Sequence, residues 1–192
     1  MSDFNVDTFR GVLGKQGGLA GSNKYRVELP PLNALKKANT TIKENEYVSS
    51  FDMNYLCTTT QLPGKQVNVL SREIGIGTKS IANGQVFAPV NLTFYMTEKY
   101  EIRKYFQYWM ECVVSQKVGE PMYAGYYKNY VLPVKIYQMN RGQRADGLKD
   151  LYSIELIDAF PTSMEMLQLN NQAQTAALEM TVSLSYKTYN IL

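Results

Sequence analysis

The sequence contains no histidine, and only two of its 192 residues are cysteines. Catalysis near neutral pH draws on histidine more than on any other side chain, so the commonest acid–base route is closed. Cys57 and Cys112 stand far apart without CxxC spacing. That excludes a zinc ribbon or a disulfide framework and leaves reduced, partly buried thiols as the expectation. A surplus of one charge is lacking too. Twenty basic and 17 acidic residues are scattered without a run, so composition announces neither nucleic acid nor an acidic membrane as partner. No apolar run has the length of a signal peptide or approaches the roughly 20 residues of a membrane span, so synthesis in the cytoplasm and no membrane partner are expected. A GxSxG elbow, a P-loop and an HExxH helix are also missing. Gly75-Ile76-Gly77 lacks the third glycine of a dinucleotide site and reads as a turn. The chain is therefore read as non-enzymatic, with no cofactor and no metal.

What is plentiful is tyrosine, threonine, valine and asparagine, residues that suit half-buried pleated surfaces, so a mainly β chain is expected. The length fits one domain, 1–192. Residues 1–23 carry Gly11, Gly14, Gly17, Gly18 and Gly21, a density that points to an extended N-terminal arm. Residues 24–29 alternate strictly and form a strand, ended by Pro30 and Pro31; 30–50 is a long polar surface loop. Strands are expected at 51–58, 65–74, 86–96, 129–139, 151–160 and 177–189. Gly75, Gly77, Asn83 and Gly84 mark turns or a tongue between two of them. Residues 140–148 form a hairpin loop, and 162–174 is irregular.

One segment, 97–115, has helical periodicity: Ile102, Tyr105, Phe106, Trp109, Met110 and Val113 recur at three-and-four spacing behind Thr97 as N-cap. Glu98 and Glu101 complement its dipole. At about 1.5 Å per residue this rod covers one face or one open end of a barrel. Downstream, Tyr123, Tyr126, Tyr127 and Tyr130 form an aromatic patch, open to reading as an interface or as strand packing. The strands present one apolar and one small-polar face, and unpaired strand edges are used naturally by a subunit that pairs with copies of itself.

Several motifs in a fixed order carry a resemblance. The 24–29 strand precedes the turn Thr60-Gln61-Leu62-Pro63-Gly64; the 86–96 strand runs into Tyr105-Phe106-Gln107-Tyr108-Trp109; Phe160-Pro161-Thr162-Ser163 follows, and Thr181-Val182-Ser183-Leu184-Ser185-Tyr186 closes the series. From about Asp7 to Tyr186 the sequence resembles the tail tube proteins of contractile-tailed bacteriophages, with a longer 32–50 loop. The resemblance implies an antiparallel β-barrel or sandwich with one flanking helix. It implies hexameric rings stacked into an inner tube in the virion tail. Partners implied are the chain itself, the sheath protein, baseplate and tail terminator proteins, and the tape-measure protein, with DNA passing through the lumen without sequence-specific binding.

On that reading a polar strand face lines the lumen, because small side chains let DNA slide where rings of lysine or arginine bind phosphates. Asn91, Thr93, Glu179, Thr181, Ser183 and Ser185 are the lumen candidates. Candidates for contacts between subunits and rings are Gly11, Gly14, Gly17 and Gly18 in the arm, Lys36, Lys37, Glu44 and Glu46 in the long loop, and Ile76, Lys79 and Asn83 in the tongue. A tube-like baseplate initiator, the inner tube of a bacterial injection or secretion apparatus, and a carbohydrate- or nucleic-acid-binding β module are the competing readings.

Overall fold

Alternating side chains set the layers. In β5 (Val90–Tyr95) and β10 (Glu179–Ser185) every second residue is apolar, and Val90, Leu92, Phe94, Met180, Val182 and Leu184 are all buried. The computed structural model describes residues 5–15, 18–35, 53–115, 121–139, 150–167, 169 and 177–192. The chain is mainly β, as composition suggested, and antiparallel, as the resemblance implied. The other strands are β1 (Tyr25–Glu28), β2 (Cys57–Thr60), β3 (Lys65–Ile74), β4 (Gly77–Phe87), β6 (Val114–Ser115), β7 (Tyr123–Ala124), β8 (Leu132–Met139), β9 (Asp150–Met164) and β11 (Thr188–Ile191). Helices α1 (Val6–Lys15), α2 (Glu101–Val113) and α3 (Tyr127–Tyr130) complete them, with a 3-10 turn at Leu32–Ala34.

Seven strands share one sheet in the order β1-β8-β9-β10-β5-β2, with β11 also along β9. β9 belongs to two layers: its first part pairs with β8 and β11, and its last residues pair with β10. Between these parts Asp158 takes φ 54, a left-handed conformation that aspartate tolerates better than most residues, and the strand turns there. Val27, Ile136, Ile154 and Leu156 from one layer meet Leu92, Phe94, Val182 and Leu184 from the other in a single core. The edge strands β1 and β2 come close as well. Tyr25 Oη donates to the Cys57 carbonyl at 3.2 Å, and the Leu29 N–H donates to Asn54 Oδ1 at 2.9 Å. The sheet thus rolls most of the way into a barrel.

Helix α2 packs against β9 and buries Ile102, Tyr105, Phe106, Tyr108, Trp109 and Cys112. Its polar tips find partners: Tyr105 Oη donates to the Pro30 carbonyl at 2.6 Å, and Trp109 Nε1 donates to the Tyr130 carbonyl at 2.7 Å. Burial pushes the Tyr105 hydroxyl well above its ordinary titration range. Beyond α2, Gly125 lies so close to the Cys112 carbonyl that a Cβ there would collide with it, which ties the tyrosine-rich segment to the helix C-terminus.

Several expected boundaries are corrected. The arm at 1–23 is not uniformly extended, because Val6–Lys15 is helical, with Asp7 and Lys15 complementing its dipole; no residue of this helix is buried. The large helix begins at Glu101, not after Thr97. The Thr97 carbonyl accepts the Tyr100 N–H in a tight turn, Tyr100 takes φ 55 as the cap, and Thr97 Oγ1 is left buried without a partner. The strand expected at 51–58 is shifted to Cys57–Thr60, after a turn that buries Met53. Pro89 interrupts 86–96 and separates β4 from β5, while most of the glycine-marked tongue is β4 itself. The strand expected at 129–139 starts at Leu132, since Tyr127–Tyr130 is a helical turn. β9 runs through Pro161, opposite Leu184 and beside a register shift, to Met164. Finally, 177–189 is two strands, broken where the chain follows the bend of β9.

Candidate functional site

The solvent side of the β2-β5-β10-β9 layer is built from the residues that alternate with the core. β5 and β10 pair so that Thr93 lies opposite Thr181 and Asn91 opposite Ser183. The two threonine hydroxyls are 3.3 Å apart, and Ser183 Oγ donates to Asn91 Oδ1 at 2.6 Å. β2 adds Thr59 opposite Thr93, and Thr58 Oγ1 donates to the Thr93 carbonyl at 3.2 Å. On the far side β9 adds Ser163 opposite Ser183, Thr162 Oγ1 donates to the Ser183 carbonyl at 3.1 Å, and the Glu165 N–H donates to the Thr181 carbonyl at 2.9 Å. Asn91, Ser163, Met164, Glu165, Thr181 and Ser183 line a shallow depression of about 270 Å³. Glu179 pairs with Tyr95 at one end and Ser185 with Phe160 at the other.

The structure therefore brings all the lumen candidates, Asn91, Thr93, Glu179, Thr181, Ser183 and Ser185, onto one continuous face. Sequence reasoning missed Thr59, Ser163 and Glu165 there. The alternation that could have revealed them was broken by the bulges at Cys57/Thr59 and at Ser183/Leu184. Among the described residues that these registers place on the face, the charged ones are carboxylates, Glu165 and Glu179, with no lysine or arginine.

The outer face of the other layer is chemically opposite. Arg26, Glu28, Lys135, Tyr137 and Glu155 come together across β1, β8 and β9. The Arg26 guanidinium lies 4.4 Å from the Tyr137 ring centre, Tyr137 Oη donates to Glu28 Oε2 at 3.0 Å, and Lys135 meets Glu155 at 4.0 Å. Such exposed contacts are worth about 1 kcal/mol or less each, but they keep long charged side chains on one side of the molecule.

Strand edges are left open. Among the described residues no further strand pairs along the outer sides of β2 and β11, nor along 160–164 of β9 opposite β10. The hairpin β3-β4 stands alone as a two-stranded sheet. At its tip is Ile76; Lys79 lies opposite Arg72, and Asn83 occupies the bulge facing Asn68 and Val69. Gly11 and Gly14 lie in the exposed α1, and Gly18 follows it with φ 93. Gly17, Lys36, Lys37, Glu44 and Glu46 lie outside the described residues.

Thiol chemistry is muted at this surface. Burial pushes the Cys57 thiol up to about 12, a backbone hydrogen bond at Thr59 lowering it only in part, and Cys112 is buried and outside any disulfide.

A polar strand face, a charged opposite face, open edges and a projecting hairpin together describe a building block, and comparison with known families agrees. The profile of the phage tail tube protein family matches residues 20–192. The chain belongs to this family. As a phage tail tube protein it is a structural subunit of the tail tube and a component of the virion tail. The match begins after α1, so it is narrower at the N-terminus than the resemblance from Asp7. No curated protein matches the chain in sequence.

Solved structures share the fold at low identity. A chain of the anti-feeding prophage baseplate, 6-fold symmetrised, is 12% identical with TM-score 0.58, over 91% of this tail tube protein and 95% of that chain. One from the sheath–tube complex of an extracellular contractile injection system in its extended state is 11% identical with TM-score 0.56, over 91% of both chains. One from the tube-terminating cap of the anti-feeding prophage is 10% identical with TM-score 0.58, again over 91% of both.

Proposed function

We propose that six copies of this tail tube protein close into a ring through their open strand edges, and that rings stack into a tube whose channel is lined by the small-polar face. Ring closure needs a head-to-tail contact whose rotation closes, and stacking needs one that does not. The observation that carries the lumen assignment is the face of Thr93, Thr181, Asn91, Ser183, Ser163 and Ser185, all short, with Thr93 hydrogen-bonded to Thr181 and Ser183 to Asn91, and without a cation among the described residues. DNA meets no phosphate-binding ring on such a wall and slides, whereas the Arg26, Lys135 and Glu155 face suits the exterior.

The geometry supports the scale. Six four-stranded layers give about 24 strands, which at about 4.8 Å spacing and a tilt near 40° enclose a wall about 48 Å across, with room for a DNA duplex. Within that tube the tape-measure protein precedes DNA, a contractile sheath surrounds it, a baseplate starts it and a terminator closes it. The shared fold with chains from a sheath–tube complex, a baseplate and a terminating cap supports these partners. The same likeness favours a second reading, the tube of an injection apparatus that carries no DNA.

Electron microscopy of the purified protein, alone and with baseplates, tests the proposal. Hollow tubes or six-fold rings are expected. A single ring that never extends favours a tube initiator, and a monodisperse monomer under crowding overturns the proposal. Nuclease-protected DNA inside native tubes after ejection is arrested separates the phage reading from the injection reading.

A further inference from the structure

The hairpin β3-β4 is paired over its whole length, from Lys65 opposite Phe87 to Ile74 opposite Gly77, and among the described residues it joins no third strand. Two strands alone are marginal in water, and this pair exposes Val67, Val69, Leu70, Ile81 and Val86. Its turn is sharper evidence. Gly75 at φ 63 fits the first central position of a type II′ turn, which leaves Ile76 at the apex with 111% relative exposure. A β-branched apolar side chain there gains nothing unless another surface covers it.

A recess of matching chemistry lies elsewhere on the subunit, between α2 and the open edge of β9 at 160–164. This groove of about 510 Å³ has apolar walls from Met110, Val113, Val114, Phe160, Pro161 and Met164. Its rim carries Arg103 and Glu111, eight residues and so about 12 Å apart along the helix. The hairpin tip is polarised in the same way: Glu73 faces one side of the ribbon, and Arg72 pairs with Lys79 on the other.

Building on the tube reading, we infer that Ile76 of one copy seats in the α2–β9 groove of a neighbouring copy, with Glu73 toward Arg103 and the Arg72–Lys79 side toward Glu111. A ten-residue strand at about 3.4 Å per residue carries the tip about 34 Å from its root, and the full exposure of Ile76 shows that it is not seated in the groove of its own subunit. In a filament of identical subunits the surface waiting there is another copy. The opposed charges admit one orientation and so set the direction in which the tip enters.

The test uses full-length protein carrying p-benzoylphenylalanine in place of Ile76, assembled into tubes, irradiated and analysed by mass spectrometry. Adducts on peptides covering 103–114 or 160–164 are expected. In parallel, Ile76→Asp raises the protein concentration needed for tube growth about tenfold or more, while Ile76→Leu leaves it within about twofold. Both variants keep the circular dichroism of the parent, because the apex touches nothing within its own subunit. If the variant at 76 does not assemble, the same crosslinker at the exposed Gln107 on the groove rim reads the contact from the other side. Tubes whose adducts fall elsewhere, α1 included, overturn this inference and leave the tube reading intact. Unmodified protein that never forms tubes overturns both.

Discussion

Placing a lysine at position 181 tests the assignment of the channel wall most directly. Thr181 sits mid-face, 3.3 Å from Thr93 between their hydroxyls and beside Glu165, so in the proposed tube a longer side chain there rises from the wall toward the channel axis. A six-membered ring gains six positive charges at one level. If all six engage phosphates, at about −0.9 in log–log slope per phosphate, the salt dependence steepens by about 5, and retention of duplex DNA falls about a thousandfold between 50 and 200 mM salt. The assay is cosedimentation of short duplex with preassembled tubes at those two salt concentrations, followed by nuclease. Thr181→Lys tubes are expected to hold DNA at low salt in a nuclease-protected form, and parent tubes to hold none. Ser153→Lys, opposite Tyr137 on the other layer, is the control and is expected to hold DNA that nuclease degrades. Protection by the Ser153 variant and none by the Thr181 variant would reverse the two faces and refute the reasoning.

Four further outcomes follow from the core and the backbone. Tyr105→Phe orphans the buried Pro30 carbonyl and costs about 1–2 kcal/mol, read as a melting-temperature drop of roughly 2–8 °C, whereas Tyr126→Phe, at an exposed position, leaves melting unchanged. Trp109→Ala removes the ring stacked on Phe106 and the bond to Tyr130, a loss of about 3–5 kcal/mol measurable by urea unfolding. Alkaline pH destabilises the fold. Cys57, held near 12, and the raised Tyr25 and Tyr105 keep their protons in the folded chain after the unfolded chain has lost them, so stability is full below about pH 8.5 and declines as pH climbs toward 12. A urea midpoint that stays flat from pH 8 to 11 would contradict this. Tyr100→Gly relieves a left-handed aromatic residue at the start of α2 and raises stability by up to about 1 kcal/mol in the same assay.

Where side chains alternate against one core, the sequence alone was enough to place them. The apolar sets of β5 and β10 and, from the helical stripe, Ile102, Tyr105, Phe106 and Trp109 are buried as their spacing implied, while Met110 and Val113 of that stripe are half-buried. Alternation is blind to a strand that changes layers. The apolar sequence from Met180 to Tyr186 keeps its period up to the corner, beyond which β11 is half-buried at Thr188 and Tyr189 and exposed at Asn190 and Ile191. The helix cap was misplaced because the Tyr100 N–H took the Thr97 carbonyl in a preceding turn, a competition that residue types do not reveal. Tyr108 and Cys112 escaped the helical stripe because α2 is buried over more than half its circumference. α1 was hidden by Gly11 and Gly14, which argue against a helix one residue at a time. Which polar face lines a channel is set by neighbouring copies, so one chain's periodicity could nominate Thr93 and Ser183 without ranking them against Arg26 and Lys135.

The bend at Asp158 gives this subunit a mechanical character. The charged layer and the small-polar layer are joined through one uninterrupted backbone, so a load on either layer reaches the other within the subunit through covalent bonds and does not depend on side chains gripping one another.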